Sequence, residues 1–170
     1  FGKLASVYIE IFRNTPLLLW ILMIRFTTKI PGIWSGVTSM SLFTSAVMAE
    51  IIRGGLNAVP HGQFEAAKSQ GFNFPQTLFF IVVPQCFKNI VPSLLSQVIT
   101  AIKDSSFLAS VAIAEFTRTS QVVMGRFTTS TEVFILYTTV AAVYFALNFT
   151  LSSIVRRKKK KTSSLPAAGR

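Results

Sequence analysis

The chain has 170 residues, 51% of them apolar and only 14% charged. A soluble domain carries about 25% charged residues, so this chain has too little charge to coat a water-facing surface, and its hydrophobicity excludes disorder. The net charge of +11 does not describe a nucleic-acid-binding face, because seven of the 17 basic residues (Arg156, Arg157, Lys158, Lys159, Lys160, Lys161 and Arg170) fall in the last 15 positions.

The chain opens on Phe1, with neither an initiator Met nor a charged-then-apolar leader, and is expected to be an internal fragment that lacks its N-terminal end. The first apolar stretch, residues 17–30, carries Arg25 and Lys29 near its end; Arg13, Thr15 and Pro16 are expected to set its start. The second, residues 40–56, holds Glu50 and Arg53, three apart on one helix face and expected to pair. A third, residues 89–102, is uncharged; Lys103 and Asp104 interrupt it before apolarity resumes over 107–114. The clearest crossing is 133–155, 23 residues without a charge, about 34 Å as a helix. The expected fold is therefore an all-α membrane protein with four spans. Residues 1–155 form the membrane domain and 156–170 a basic cytoplasmic tail without fixed structure, suited to anionic lipid head groups. Spans that are short, broken and punctuated by charge fit a transporter or channel better than a passive anchor.

Lys and Arg counts set the orientation. With the tail inside, Lys3, Arg13, Arg53, Lys68 and Lys88 join it, against Arg25, Lys29, Lys103, Arg118 and Arg126 outside. The N-terminus, the loop 57–85 and the C-terminus are then cytoplasmic.

That loop is too long to be an idle connector. Pro60 and Gly62 break the preceding helix, and 63–70 is rich in helix formers, with Glu65 placed to favour a helix N-terminus. Gly71 suits the left-handed residue that ends a helix. Asn73 can cap a second helix, with Pro75 in its first turn and Gln76 completing a capping box. Pro84 is expected to stop or kink that helix. The result is an elbow of two short helices on the cytoplasmic side.

The spacing Glu65-Ala66-Ala67, three residues, Gly71, nine residues, Ile81-Val82-Val83-Pro84 resembles the EAA motif of permease subunits in bacterial ATP-binding cassette (ABC) importers, with Val83 in place of the usual Leu. Three flanking segments are similar to permeases for polar amino acids of the histidine/glutamine/arginine type: residues 8–18 (YIEIFRNTPLL), 49–55 (AEIIRGG), and Lys103-Asp104-Ser105-Ser106 with Ser110. The resemblance implies a type I importer transmembrane domain with four of about five spans present. It implies that the elbow is a coupling helix seated on a separate cytoplasmic ATPase, with Ala66 and Ala67 allowing close approach, Glu65 fixing register and Gly71 and Pro84 shaping the bend. The implied partners are that ATPase, an extracytoplasmic amino-acid-binding protein, a second permease subunit of the same or a different kind, and the bilayer of the bacterial plasma membrane. Nucleic acid is not among them. Substrate would meet Asp104, Ser105, Ser106 and Glu115; alternatively Lys103 and Asp104 sit at the outer interface and neutralise each other.

No G-x-x-x-x-G-K-[ST] loop occurs, so the resemblance puts ATP and Mg on the partner, leaving this chain a transport subunit without a cofactor of its own. Cys86 is the sole cysteine and His61 the sole histidine, which leaves no disulfide, zinc motif or catalytic triad to build. Trp20 and Trp34 are candidate interface anchors. An ion-coupled transporter or channel, with Asp104 and Glu50 as ion sites, is the alternative function.

Overall fold

The computed structural model describes residues 2–163, with side chains through Arg156. Among these the chain is helical throughout, in the order α1 (Gly2–Arg13), α2 (Leu17–Thr27), α3 (Gly32–Asn57), α4 (His61–Ser69), α5 (Phe74–Thr77), α6 (Val83–Asp104), α7 (Phe116–Met124) and α8 (Ser130–Ser163). A π turn, Leu78–Val82, joins α5 to α6, and a 3₁₀ turn, Ser105–Val111, follows α6. Three stretches are long and apolar enough to cross a membrane: Gly32–Asn57, Phe74–Val111 and Ser130–Arg156. A fourth candidate is the bent pair of α1 and α2, whose axes meet at 101°.

The N-terminal helix α1 was not marked in the sequence, which places the first span at residue 17. It exists because Tyr8 and Phe12 repeat on one face. Phe12 is buried and stacks on Trp20 of α2 with ring centroids 4.1 Å apart, while Tyr8 Oη lies 2.6 Å from the Leu42 carbonyl and from Ser45 Oγ on α3. The corner between α1 and α2 closes where Trp20 Nε1 donates to Thr15 Oγ1 at 2.7 Å. Trp20 is thereby packed inside the corner.

Glu50 of α3 receives both Arg53, whose Nε donates at 2.8 Å, and Arg13 from the end of α1, at 3.1 Å. These are the ion pairs among the described residues. The expected Glu50–Arg53 pair is present, and Arg13 makes it a clasp between α1 and α3.

Two buried clusters organise the helices. Leu17 and Ile21 of α2 pack with Val111 and Ile113 beyond α6. At the other end of α3, Val59, Val82, Cys86 and Ile90 pack together, and Gly55 lets α3 and α6 approach: a Cβ there would land on Ile90 Cγ2 and lie 3.0 Å from Cys86 Sγ. Cys86 is a buried core residue.

Two expectations about helix ends are corrected. Pro84 does not stop the helix, which runs from Phe74 through Val111 as one stretch with a π turn just before the proline. Proline lacks the N–H that would bond the carbonyl four residues back and crowds that carbonyl; the π turn just before it, in which the Val83 N–H reaches the Leu78 carbonyl, widens the coil to make room. The boundary at 155 is not a helix end either. The backbone of α8 continues through Arg156, Arg157 and the four lysines to Ser163, since Arg and Lys are good helix formers and favour a helix C-terminus. The rest of the tail, residues 164–170, lies outside the described residues.

Candidate functional site

Two places interrupt the helices that connect α3 to α8, and the residues expected to couple to an ATPase or to meet substrate lie at or next to them.

The first is the elbow. Helix α4 begins at His61, two residues before the expected start, so Glu65 lies in its second turn, beyond the reach of the N-terminal dipole. Glu65 and Ala66 are exposed, whereas Ala67 is 2% exposed and packs into the chain itself. Of the two alanines expected to allow close approach, only Ala66 therefore faces outward; the small size of Ala67 serves the packing of α4 on its own chain. The turn is closed by the Phe72 N–H on the Ala67 carbonyl (3.1 Å) and the Gly71 N–H on the Lys68 carbonyl (3.0 Å). These are the paired bonds of a Schellman ending, which needs a left-handed residue. Gly71 supplies it, at φ +81°. Asn73 then caps α5 in a reciprocal box: its side chain accepts from the Gln76 N–H, and its own N–H donates to the Gln76 side chain, both at 2.9 Å. Pro84 is exposed, downstream on α6.

The elbow is fixed to the spans rather than free. Phe64 of α4 and Leu78 pack on the cluster of Val59, Val82, Cys86 and Ile90, and Thr77 is 5% exposed. A push on the exposed face of α4 thus reaches the core contact between α3 and α6.

The second interruption is a break at half depth. Helix α6 ends at Asp104, the chain turns through Ser105–Val111, and Ala112 takes a left-handed φ of 58° before α7 starts. Its depth follows from α8. Lys103 lines a groove with Tyr144 and Asn148, and Tyr144 lies about 21 Å along α8 from Ser130 and about 18 Å from Arg156 at the usual helical rise. The break therefore lies level with the middle of α8, and α7 runs from it alongside α8: Thr117 Oγ1 is 3.1 Å from Tyr144 Oη, and Tyr137 Oη is 3.2 Å from Met124 Sδ. Lys103 and Asp104 form no ion pair with each other among the described residues. The apolar run 107–114, where apolarity resumes after the charges, falls largely in the turn Ser105–Val111.

Around this break the side chains differ in freedom. Glu115 is committed: as the N-cap of α7 it accepts from the Thr117 N–H (2.8 Å) and the Arg118 N–H, and Tyr144 Oη reaches it at 3.3 Å. Ser105 returns its hydroxyl to the Ile102 carbonyl at 2.7 Å. Asp104 and Ser106 are half-buried and make no side-chain hydrogen bond among the described residues. Asn148 donates to the Tyr144 carbonyl at 2.7 Å while its Oδ1 is buried and unpartnered. Thr117, Tyr144 and Asn148 join the site only through the fold; nothing local in the sequence marks α8 residues as neighbours of Lys103. No group of three or more His, Cys, Asp or Glu able to hold a metal occurs among the described residues.

Comparison with known proteins places this architecture. Residues 1–163 match the family described as "Binding-protein-dependent transport system inner membrane component". The protein named "Probable glutamine ABC transporter permease protein GlnP" of Bacillus subtilis (strain 168) is 38% identical over 161 residues, which span 92% of this chain and 74% of that protein. The glutamate/aspartate import permease protein GltK of Escherichia coli O157:H7 is 31% identical over 172 residues, 94% of this chain and 75% of that one. A solved structure, described as "Crystal structure of an amino acid ABC transporter with histidines", superposes with a TM-score of 0.86 at 34% identity, covering 94% of this chain and 75% of its own.

Proposed function

We propose a function from one premise: the chain belongs to the family of binding-protein-dependent transport system inner membrane components. It is a multi-pass permease subunit of an amino-acid ABC transporter in the inner membrane. The finer reading is that it imports a polar amino acid, delivered by an extracytoplasmic binding protein, by alternating access driven by a separate ATPase that carries the ATP and Mg. Two such subunits, identical or different, form the membrane unit, and the C-terminus lies in the cytoplasm.

The observation that carries this reading is the elbow. Between two membrane-length helices sits a helix pair with a rigid, fully capped turn, a core-packed inner face and an exposed outer face of Glu65 and Ala66. Glu65 has no bonding partner within the described residues and, in the second turn, no dipole to answer; a basic group on the ATPase is the partner it suits. Ala66 lets that surface come close. Gly71 sets the turn, and Ala67, Phe64 and Leu78 pack the elbow onto the helix it must move, with Pro84 shaping the start of that helix. At the break, Asp104 and Ser106 have free hydrogen-bonding capacity near mid-membrane, where one carboxylate would attract the ammonium group of a zwitterion. Ser105 and Glu115 shape that site, their own groups being occupied by backbone.

The test is uptake of labelled amino acid by the assembled transporter. Glu65→Lys should abolish ATP-dependent uptake while membrane abundance and thermal stability stay at the unmodified level, because the side chain is exposed and makes no hydrogen bond or ion pair among the described residues. Uptake within about twofold of the unmodified transporter, a change of only about 0.4 kcal/mol, would overturn the coupling role.

A further inference from the structure

Helix α1 has three sides, and only one of them is used inside the chain. Tyr8 and Phe12 make the inner side, against α3 and Trp20. At 3.6 residues per turn Leu4, Val7 and Ile11 share a second side within about 60°, and they are 75%, 56% and 47% exposed. Lys3, Ser6, Glu10 and Arg13 form the third side, within about 80°, and all four are exposed.

The position of α1 decides what meets the two outer sides. Helix α2 runs back along α3: residues 28–31 join them at one end, and at the other Leu17 belongs to the cluster on which Phe43 of α3 packs. Helix α1 turns from α2 by 101° and therefore lies near the plane of the membrane. Its 12 residues, about 18 Å long, are too short to cross about 30 Å of hydrocarbon. Its level is set by α3, whose positions 32–49 carry no charge. Glu50 follows about 27 Å from Gly32 and holds Arg13 at 3.1 Å. The inner side of α1 thus faces α3 between Ser45, which Tyr8 touches, and Glu50, where the uncharged length ends.

The charges select the partner. Glu10 is engaged by Asn14 Nδ2 at 2.9 Å and Arg13 by Glu50, whereas Lys3 makes no ion pair among the described residues. Lys3 borders the apolar side, so its stem can lie along acyl chains while its ammonium group meets a phosphate. We propose that α1 is an interfacial helix of the inner leaflet, with Leu4, Val7 and Ile11 in the acyl chains and Lys3 on the phospholipid head groups. The inference rests on the permease reading and adds a support to it. Helix α3 continues about 10 Å past Glu50 before the elbow begins, and α1, held at the lipid surface and clasped to Glu50, braces α3 where the elbow's push arrives.

The experiment places a nitroxide on single cysteines of the assembled transporter, in vesicles containing phosphatidylglycerol and in a Cys86→Ala background. Leu4→Cys, Val7→Cys and Ile11→Cys are compared with Ser6→Cys and Glu10→Cys, and with Phe145→Cys, an exposed position near the middle of α8. The probes are oxygen, which concentrates in lipid, and a water-soluble nickel chelate. An interfacial helix sinks only about 5–10 Å past the head groups, so the oxygen-to-nickel collision ratio at 4, 7 and 11 should exceed that at 6 and 10 by at least about fivefold and stay below that at 145. Equal ratios on the two sides of α1 would overturn the proposal. So would exclusion of both probes from 4, 7 and 11, which would mean that protein covers this side, and so would ratios there that match 145, which would make α1 part of a crossing. The two readings fail separately: a failure confined to α1 beside a lipid-exposed label at 145 sinks the interfacial helix alone, whereas nickel access at 145 would remove α8 from the bilayer and overturn both.

Discussion

The elbow and the break both end a helix with the same paired backbone bonds, yet they differ in the left-handed residue and in what surrounds it. At the elbow the turn between α4 and α5 is closed within a few residues: Phe72 on Ala67, Gly71 on Lys68, and Asn73 with Gln76. The left-handed position is a glycine, and a Cβ added there would meet nothing within 4 Å. At the break the left-handed position is Ala112, and the same paired bonds close the turn, the Ile113 N–H on the Leu108 carbonyl (3.2 Å) and the Ala112 N–H on the Ala109 carbonyl (3.1 Å); distant residues pack on it as well, with Ile113 and Leu108 against Gly36, Val111 with Leu17 and Ile21, and Glu115 with Tyr144. A locally specified turn keeps its shape when its surroundings move. A turn specified by contacts changes when those contacts change. The first property suits a lever, the second a gate whose shape follows the arrangement of α2, α3 and α8.

Substitutions can break this contrast, beginning where the effect should be largest. Gly55→Ala forces a methyl group onto Ile90 and Cys86, in the cluster that ties the elbow to the spans. Overpacking of this kind costs about 1–3 kcal/mol. The solubilised transporter should unfold at a lower temperature and accumulate less in the membrane; an unchanged melting profile would show that the α3–α6 contact is looser than the geometry implies. Gly71→Val comes next, since a β-branched residue at φ +81° bears the left-handed penalty of about 1–2 kcal/mol. With open space around it, the loss should appear as uncoupled uptake more than as misfolding, and Gly71→Asn, which tolerates this conformation better, should recover most of it. Equal defects for Val and Asn would mean that steric contact with a partner, and not backbone conformation, sets the requirement at this turn.

The same contrast explains what the sequence revealed. The elbow was legible almost residue by residue, because Gly71, Asn73, Pro75 and Gln76 act on neighbours within reach of a local pattern; only the start of α4 and the inward turn of Ala67 differ. The pairing of Glu50 with Arg53 was legible for the same reason, and its third member, Arg13, was not, because it arrives from another helix. Lys103 and Asp104 did mark the break, as charges interrupting an apolar run. Their depth was hidden, since the run 107–114 reads equally well as the end of a span or as a turn packed against α2 and α3. Pro84 misled in the opposite direction: a strong local breaker was absorbed by one π turn, a feature with no sequence signature of its own.

The smaller effects lie at the break and sharpen the distinction. Glu115→Ala removes the cap of α7, at a cost of about 1 kcal/mol, and should lower the melting temperature modestly. Glu115→Gln keeps an acceptor for the Thr117 and Arg118 N–H groups and should recover about half of that loss. If both variants instead matched the unmodified stability while uptake collapsed, Glu115 would be a substrate ligand and not a structural cap.

The smallest change is the most telling. Ala112→Gly relieves the left-handed penalty of a Cβ but adds backbone freedom to the unfolded chain, and these terms nearly cancel, leaving stability within about 0.5 kcal/mol of the unmodified protein. A locally specified turn would gain from glycine, as the elbow does from Gly71. At 112, where the same paired bonds are joined by packing of Val111 and Ile113, glycine should gain almost nothing because the two terms cancel. Measured side by side, a stabilisation of 112 by glycine comparable to the loss seen when Gly71 is replaced would erase the difference between lever and gate. A near-zero effect at 112 against a clear one at 71 would locate the rigidity of the molecule in its elbow and its adaptability at mid-membrane.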